Sequence, residues 1–304
     1  MTHSILDMRF GWRWLLPLPV GWAAALYGFA PEEEAFWTDE FTVAGLVRRA
    51  SRAEVLIVNG DYEGRCGRPS SSDLVAAQVV CVIASGRRAR RWRSLIGAGF
   101  PLVQEYGLLP SGNPRVVVPL DSPRHVAEAL RLHRPGRWIL RLGLWVAAGL
   151  ASIGNFVLLR QRVLFVATRE RGLQPFGAVQ AGLFERFADQ DMNFTLYLGT
   201  PDDNRKTVVL PLGSSAPEII LKVAVTQRAR ASLANEVLAL EALRKSAVAS
   251  CVPKLAGVVA AGNTFSLYQE YRPRQRLDTC RMASEVVKFL AQLSLIGGQM
   301  VPLS

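Results

Sequence analysis

The sequence predicts two successive units, an α/β unit over residues 1–170 and an α+β unit, an antiparallel sheet with one packed helix, over 191–304. Three observations carry this. Buried-strand runs alternate with an Arg-rich helical stretch in the first half. Two β-branched and aromatic runs joined by a polar turn mark a hairpin at 194–212. A third strand, a helix and two more strands follow the hairpin directly. A length of 304 residues suits about two domains and a sizeable core.

At the N-terminus, Arg9 and Arg13 precede an apolar run, Leu15–Ala30, which ends at Pro31-Glu32-Glu33-Glu34. The outline is that of a signal peptide, but Pro17 and Pro19 interrupt it and no cleavage site stands out. The expectation is an opening helix or strand packed on the first domain. Residues 54–58 (EVLIV) form a buried strand that ends in the turn Asn59-Gly60-Asp61. Gly64–Ser72 reads as a loop and Val75–Ala84 as a second buried strand. Ser85–Ala98 reads as a helix with Trp92, Leu95 and Ile96 on one side and Arg87, Arg88, Arg90, Arg91 and Arg93 around the rest. Leu102–Leu108 and Val163–Thr168 are further strands.

The segment R-S-L-I-G-A-G-F-P-L-V-Q-E-Y at 93–106, with L-P-S-G-N-P-R-V-V-V-P-L-D at 109–121 as a loop after it, resembles the C-terminal half of a class I methyltransferase. The resemblance implies a degenerate Rossmann-like domain and S-adenosylmethionine (SAM) as its cofactor. The glycine-rich turn expected after the first strand reads A-L-Y-G-F-A-P-E-E-E, with Gly28 alone, which argues against bound SAM. Plain α/β packing accounts for the same pattern.

Within this unit, 138–160 forms an apolar helical insertion. Leu142–Leu159 holds 18 residues without a charge, between Arg137 and Arg141 on one side and Arg160 and Arg162 on the other. That is the short end of a membrane span. Gly143, Gly149, Ser152, Gly154 and Asn155 dilute its hydrophobicity, and Trp138 and Trp145 suit an interface. A buried or interfacial helix pair is therefore expected rather than a span. The chain is basic, with 36 Lys+Arg against 25 Asp+Glu, a net charge of +11 and a mean hydropathy of +0.17. Trp92 stands alone among the arginines, so no stacking pattern supports nucleic acid as a partner. An anionic membrane surface stays open, with a cytoplasmic location, peripheral at the inner membrane face.

Cys66, Cys81, Cys251 and Cys280 show no metal spacing and read as reduced thiols. His125 and His133 share the helical stretch Pro123–His133, where a solvated basic helix explains them without a metal. Glu32, Glu33 and Glu34 are adjacent and cannot act as an acid/base pair on one face. Residues 171–190 are the expected linker, with a short amphipathic helix near Val179–Ala188.

In the second unit, Phe194–Gly199 and Thr207–Leu212 form the hairpin, with Thr200–Lys206 as its turn. Glu218–Val225 (EIILKVAV) is the third strand, with Lys222 its only cation. The helix Ala231–Arg244 carries Leu233, Val237, Leu240 and Leu243 on one stripe, and Glu236 falls on that stripe. Lys254–Ala260 and Phe265–Tyr271 are the last strands. A lysine in an apolar strand and a carboxylate on a buried helix face are each costly alone and can neutralise each other. An edge-strand lysine and a solvated glutamate in any small α+β domain are the alternative.

This order resembles the small lobe of the aminoglycoside-phosphotransferase and choline-kinase-like branch of the protein-kinase-like fold. The resemblance rests on I-L-K-V at 220–223, N-E-V-L-A-L-E-A-L at 235–243, V-P-K-L at 252–255 and S-L-Y-Q-E-Y at 266–271. It implies an ATP site in which Lys222 holds the α/β-phosphates, Glu236 holds Lys222, Gly199 belongs to the phosphate loop, and backbone groups near Glu270 and Tyr271 meet adenine. A helix-like run, Thr279–Leu295, follows. No histidine follows His133, and Asp278 is the only aspartate after Asp203. The catalytic base and metal ligands of the family are missing, so Mg is not expected on this chain alone, and the resemblance implies a truncated small lobe. The functions left open are a phosphotransferase relative that binds nucleotide, a non-catalytic binding or regulatory protein associated with a membrane, and a SAM-dependent methyltransferase remnant.

Overall fold

The computed structural model describes residues 21–31, 34–35, 37–38, 46–62, 68–109, 115–132, 138–169, 193–198, 204, 206–212, 219–224, 226–245, 249, 252–261 and 264–271. The expected linker 171–190, the run Thr279–Leu295 and Cys66, Cys251, Cys280, His133 and Gly199 lie outside them.

Twelve strands form one mixed sheet: β1 (Ala23–Tyr27), β2 (Val47–Arg48), β3 (Val55–Asn59), β4 (Val79–Ser85), β5 (Leu102–Leu109), β6 (Val116–Pro119), β7 (Arg162–Thr168), β8 (Asn193–Leu198), β9 (Lys206–Leu212), β10 (Ile219–Ala224), β11 (Leu255–Ala261) and β12 (Thr264–Glu270). Their spatial order is β11-β12-β10-β9-β8-β6-β5-β7-β4-β3-β1-β2. The strands β2, β1, β3 and β4 run parallel, and every later pairing is antiparallel. The two halves foreseen from sequence thus share one sheet, joined where Val116 and Val117 of β6 pair with Tyr197 and Leu196 of β8.

One apolar surface crosses the whole sheet. Ala24 lies opposite Val55, Ile57 opposite Cys81, and Cys81 opposite Val166. The row continues through Leu108, Val117, Leu196, Val209, Leu221 and Tyr268. Because side chains alternate along a strand, a shared register puts all of these on one face. Phe29, Trp37 and Leu46 pack against it.

The opposite face carries the helices α1 (Ser71–Ala76), α2 (Gly86–Gly99), α3 (Pro123–Leu132), α4 (Trp138–Ser152) and α5 (Gln227–Arg244). Ala89, Trp92 and Ile96 of α2 cover Val80, Val82 and Phe165. Val126 and Leu130 of α3 and Ala147, Ala148 and Ala151 of α4 form a second cluster with Val116, Val118 and Leu212. Ala229 and Leu233 of α5 form a third with Ala224 and Leu267.

Local chemistry explains where the elements start and stop. The sequence suggests a strand from Val75, but Ser70 and Asp73 close a capping box that winds Ser71–Ala76 into α1 and leaves Val75 74% exposed. The strand proper begins at Val79. Burial alone would raise the Asp73 carboxyl, yet hydrogen bonds from the Arg52 and Ser70 backbone and the Ser70 hydroxyl hold it at about 2. Helix α2 follows Ser85, whose N–H and hydroxyl both donate to the Asp61 carboxylate at 2.7 Å. Trp92 lies so close to Gly60 that a Cβ there would sit 2.6 Å from the indole nitrogen. The stretch 109–121, expected as a loop, contains β6. The apolar run 142–159 is not one helix: α4 stops at Ser152 and a turn follows. Among the described residues no helix is long and apolar enough to cross a membrane.

Candidate functional site

Strand β10 lies between β9 and β12, so Lys222 is in the interior of the sheet rather than on an edge. It pairs with Val208 on one side and Leu267 on the other. Leu267 packs beneath α5, so Lys222 emerges on the helix-bearing face. Helix α5 starts at Gln227, four residues before the sequence suggests, because the Thr226 hydroxyl accepts the Ala229 N–H at 3.1 Å. Leu233, Val237 and Leu240 face the sheet, and Glu236 sits among them.

The Lys222 ammonium donates to Oε1 of Glu236. A second lysine reaches the same carboxylate: Nζ of Lys206 lies 3.2 Å from Oε2. Lys206 pairs with Ala224, two positions along from the Val208–Lys222 pair, so both lysines occupy one face. The three side chains, Lys222, Lys206 and Glu236, are 20%, 23% and 27% exposed. Burial pushes the Glu236 carboxyl up, and the hydrogen bonds and charges of Lys222 and then Lys206 outweigh it, so its pKa falls below the ordinary 4.5. Two ammonium groups on one carboxylate leave a net positive charge in a half-buried place, an arrangement suited to an anion.

The sequence reading assigned Lys206 to the hairpin turn and missed it. The signal was the period of two in Lys206, Val208 and Leu210. A second group also went unnoticed. Gln269 of β12 is opposite Ile220, two pairs from Lys222 and on the same face. It is 7% exposed, and its Oε1 has no hydrogen-bond partner among the described residues. A buried acceptor without a donor is costly.

Glu270 has a local role. Its carboxylate accepts the Lys254 N–H at 3.1 Å, and its own N–H donates to the Lys254 carbonyl at 2.8 Å, pinning the end of β12 to the start of β11. Its amide is therefore committed, and Tyr271 lies half-buried just past the strand.

At the other end of the sheet, Gly28 follows β1 with φ +77°. Nearby, Asp61 accepts the Ser85 N–H and hydroxyl just before α2, and Trp92 fills the space over Gly60.

The remaining sequence candidates do not assemble. His125 Nδ1 pairs with Asp121 Oδ2 at 2.9 Å at the start of α3. Cys81 is fully buried and burial pushes its thiol up, so it is no nucleophile. Among the described residues no group of three or more His, Cys, Asp or Glu side chains could hold a metal ion. Compared with protein-family models, curated proteins and solved structures, the chain matches none of them.

Proposed function

We propose that β8–β12 and α5 form a nucleotide-binding lobe of the aminoglycoside-phosphotransferase and choline-kinase-like kind, with ATP as its ligand. The observation that carries this reading is the Lys222–Glu236 pair, which joins a central strand to the helix packed on its own face. The chain order is hairpin, Lys strand, Glu helix, two strands, and the five strands are contiguous in the sheet. Glu236 orients the Lys222 ammonium toward the α/β-phosphates. Lys206 adds a second cation, and the buried Gln269 acceptor supports a ligand donor at the base end of the same face. Bound ATP would supply a transferable phosphoryl group. The residues of this chain bind and orient it. The reading offered for these residues is nucleotide binding.

Calorimetric titration with ATP, AMP and adenosine tests the reading. Affinity is expected to fall as phosphates are removed, and Lys222→Met is expected to weaken ATP binding about tenfold or more, the worth of a charge-assisted hydrogen bond. Equal affinity for ATP and adenosine, or no binding by the intact protein, overturns it.

A second reading, a degenerate methyltransferase-like fold for the first half, is favoured by one observation. Strand β7 runs antiparallel between β4 and β5 at the end of a parallel set. The engagement of Asp61 by Ser85 speaks for a scaffold rather than a SAM site.

A further inference from the structure

The outer surface of α4 and of the turn after it carries six exposed large apolar side chains. Leu142, Trp145 and Val146 fall on one stripe of the helix, and Ile153, Val157 and Leu158 of the turn extend it. Trp145, Ile153 and Val157 are 75%, 77% and 71% exposed. The fully buried residues of α4, Ala147, Ala148 and Ala151, are small, with Leu144 partly buried beside them. A helix whose only partner is the core places its large apolar side chains inside and polar ones outside. Here most of the large ones face outward, over a surface of the kind that marks an interaction site.

The surface is held in place from below. Gly154, with φ +79°, closes α4 in a Schellman motif: its N–H donates to the Ala151 carbonyl and the Asn155 N–H to the Leu150 carbonyl, both at 2.9 Å. Phe156 and Leu159 anchor the turn in the core, so Ile153, Val157 and Leu158 point away. Arg160 lies 5.4 Å from the Phe156 ring centroid and donates from Nε to Glu105 at 3.1 Å. Gly107 makes room for the backbone of Leu159, whose carbonyl oxygen would lie 2.9 Å from a Cβ at that position.

Charge selects the occupant. From Ala129 to Arg169 the sequence has seven arginines and no acidic residue. A second copy docking by the same surface would bring together two chains of net charge +11, which opposes association. Apolar side chains bracketed by arginines suit a bilayer interface with anionic headgroups. With 15 residues, α4 is long enough to lie in that interface and too short to cross the core.

We propose that the α4 stripe and the 153–158 turn dock this protein onto the surface of an anionic membrane, independently of the nucleotide reading. Co-sedimentation of the full chain with vesicles of phosphatidylcholine, with and without phosphatidylglycerol, tests it. The protein is expected to pellet with the anionic vesicles and to come off as salt rises. The double variant Ile153→Asp, Val157→Asp should lower the vesicle partition about tenfold or more, because two charges enter the interface. Leu238→Asp, at an exposed apolar position on α5, should leave it unchanged. Trp145 emission, isolated by difference from Trp145→Phe, should shift to the blue on anionic vesicles, a readout that needs no charge variant to fold. Wild-type protein that stays in the supernatant overturns the proposal. So does equal pelleting of the double variant, or a solution dimer that the double variant dissociates.

Discussion

The Glu236 carboxylate accepts hydrogen bonds from Lys222 and Lys206 at once, so one helix residue ties α5 to two adjacent strands of the sheet. Removing the carboxylate leaves two ammonium groups close together and half-buried. Glu236→Ala should destabilise the protein by about 1.5–3 kcal/mol, the range for hydrogen bonds to charged groups. The burial is too shallow for the larger cost of a fully buried pair. Glu241→Ala, at an exposed position one turn on, should stay within about 0.5 kcal/mol of wild type. Denaturant midpoints check the pair, and equal midpoints for the two variants would remove Glu236 from its role as a tie.

The same carboxylate gives a pH dependence of definite sign. Its pKa is lowered in the folded protein, so the unfolded chain binds more protons near the ordinary value of 4.5. The stability it contributes is present above that value and lost as pH falls through the lowered folded value. Wild type should therefore exceed Glu236→Gln in stability at neutral pH, and the gap should close as pH falls below about 4. A gap that widens on acidification contradicts the assignment.

Gln269 should discriminate among ligands. Its buried Oε1 can accept from an amino group and cannot donate. Gln269→Leu should lower ATP affinity about fivefold to tenfold while leaving inorganic triphosphate affinity unchanged, since a net hydrogen bond is worth about 1 kcal/mol. An equal loss for both ligands would mark Gln269 as a packing residue.

Gly107 should resist substitution. An added methyl group would meet the Leu159 carbonyl, which belongs to the backbone and cannot rotate away. Gly107→Ala is expected to cost about 1–3 kcal/mol by overpacking and to loosen the 153–160 turn. Hydrogen exchange at Leu159 and Arg160 reads this out, and unchanged protection there counts against the close approach.

The fold was legible where patterning was strong. The Val55–Asn59, Leu102–Leu109 and Arg162–Thr168 strands and the Arg-rich helix α2 announce themselves by period and burial. The helix α1 was hidden because Val75-Ala76-Ala77 continues an apolar run, and the capping box at Ser70 and Asp73 decides the matter through two side-chain contacts. The strand β6 was hidden behind Pro110, Gly112 and Pro114, which read as loop although Val116–Pro119 pairs with both β5 and β8. The Lys222–Glu236 pair could be read because a lone cation in a strand and a lone carboxylate on a helix stripe need each other. Lys206 could not, since a lysine at a turn has no such need until register places it beside Lys222. Gln269 was invisible for a related reason: that its Oε1 meets no donor among the described residues is a property of three-dimensional packing. The continuity of the sheet across β6 and β8 likewise depends on a long-range pairing that no local pattern encodes.

The most direct test uses the double variant Lys222→Met, Glu236→Leu. Replacing both partners with apolar groups of similar size removes the pair and leaves one ammonium, that of Lys206, without its carboxylate, where Glu236→Ala leaves two. The account predicts a denaturant midpoint above that of Glu236→Ala together with loss of ATP binding in the calorimeter. A folded double variant that binds ATP as tightly as wild type would contradict it, because the nucleotide would then owe nothing to Lys222.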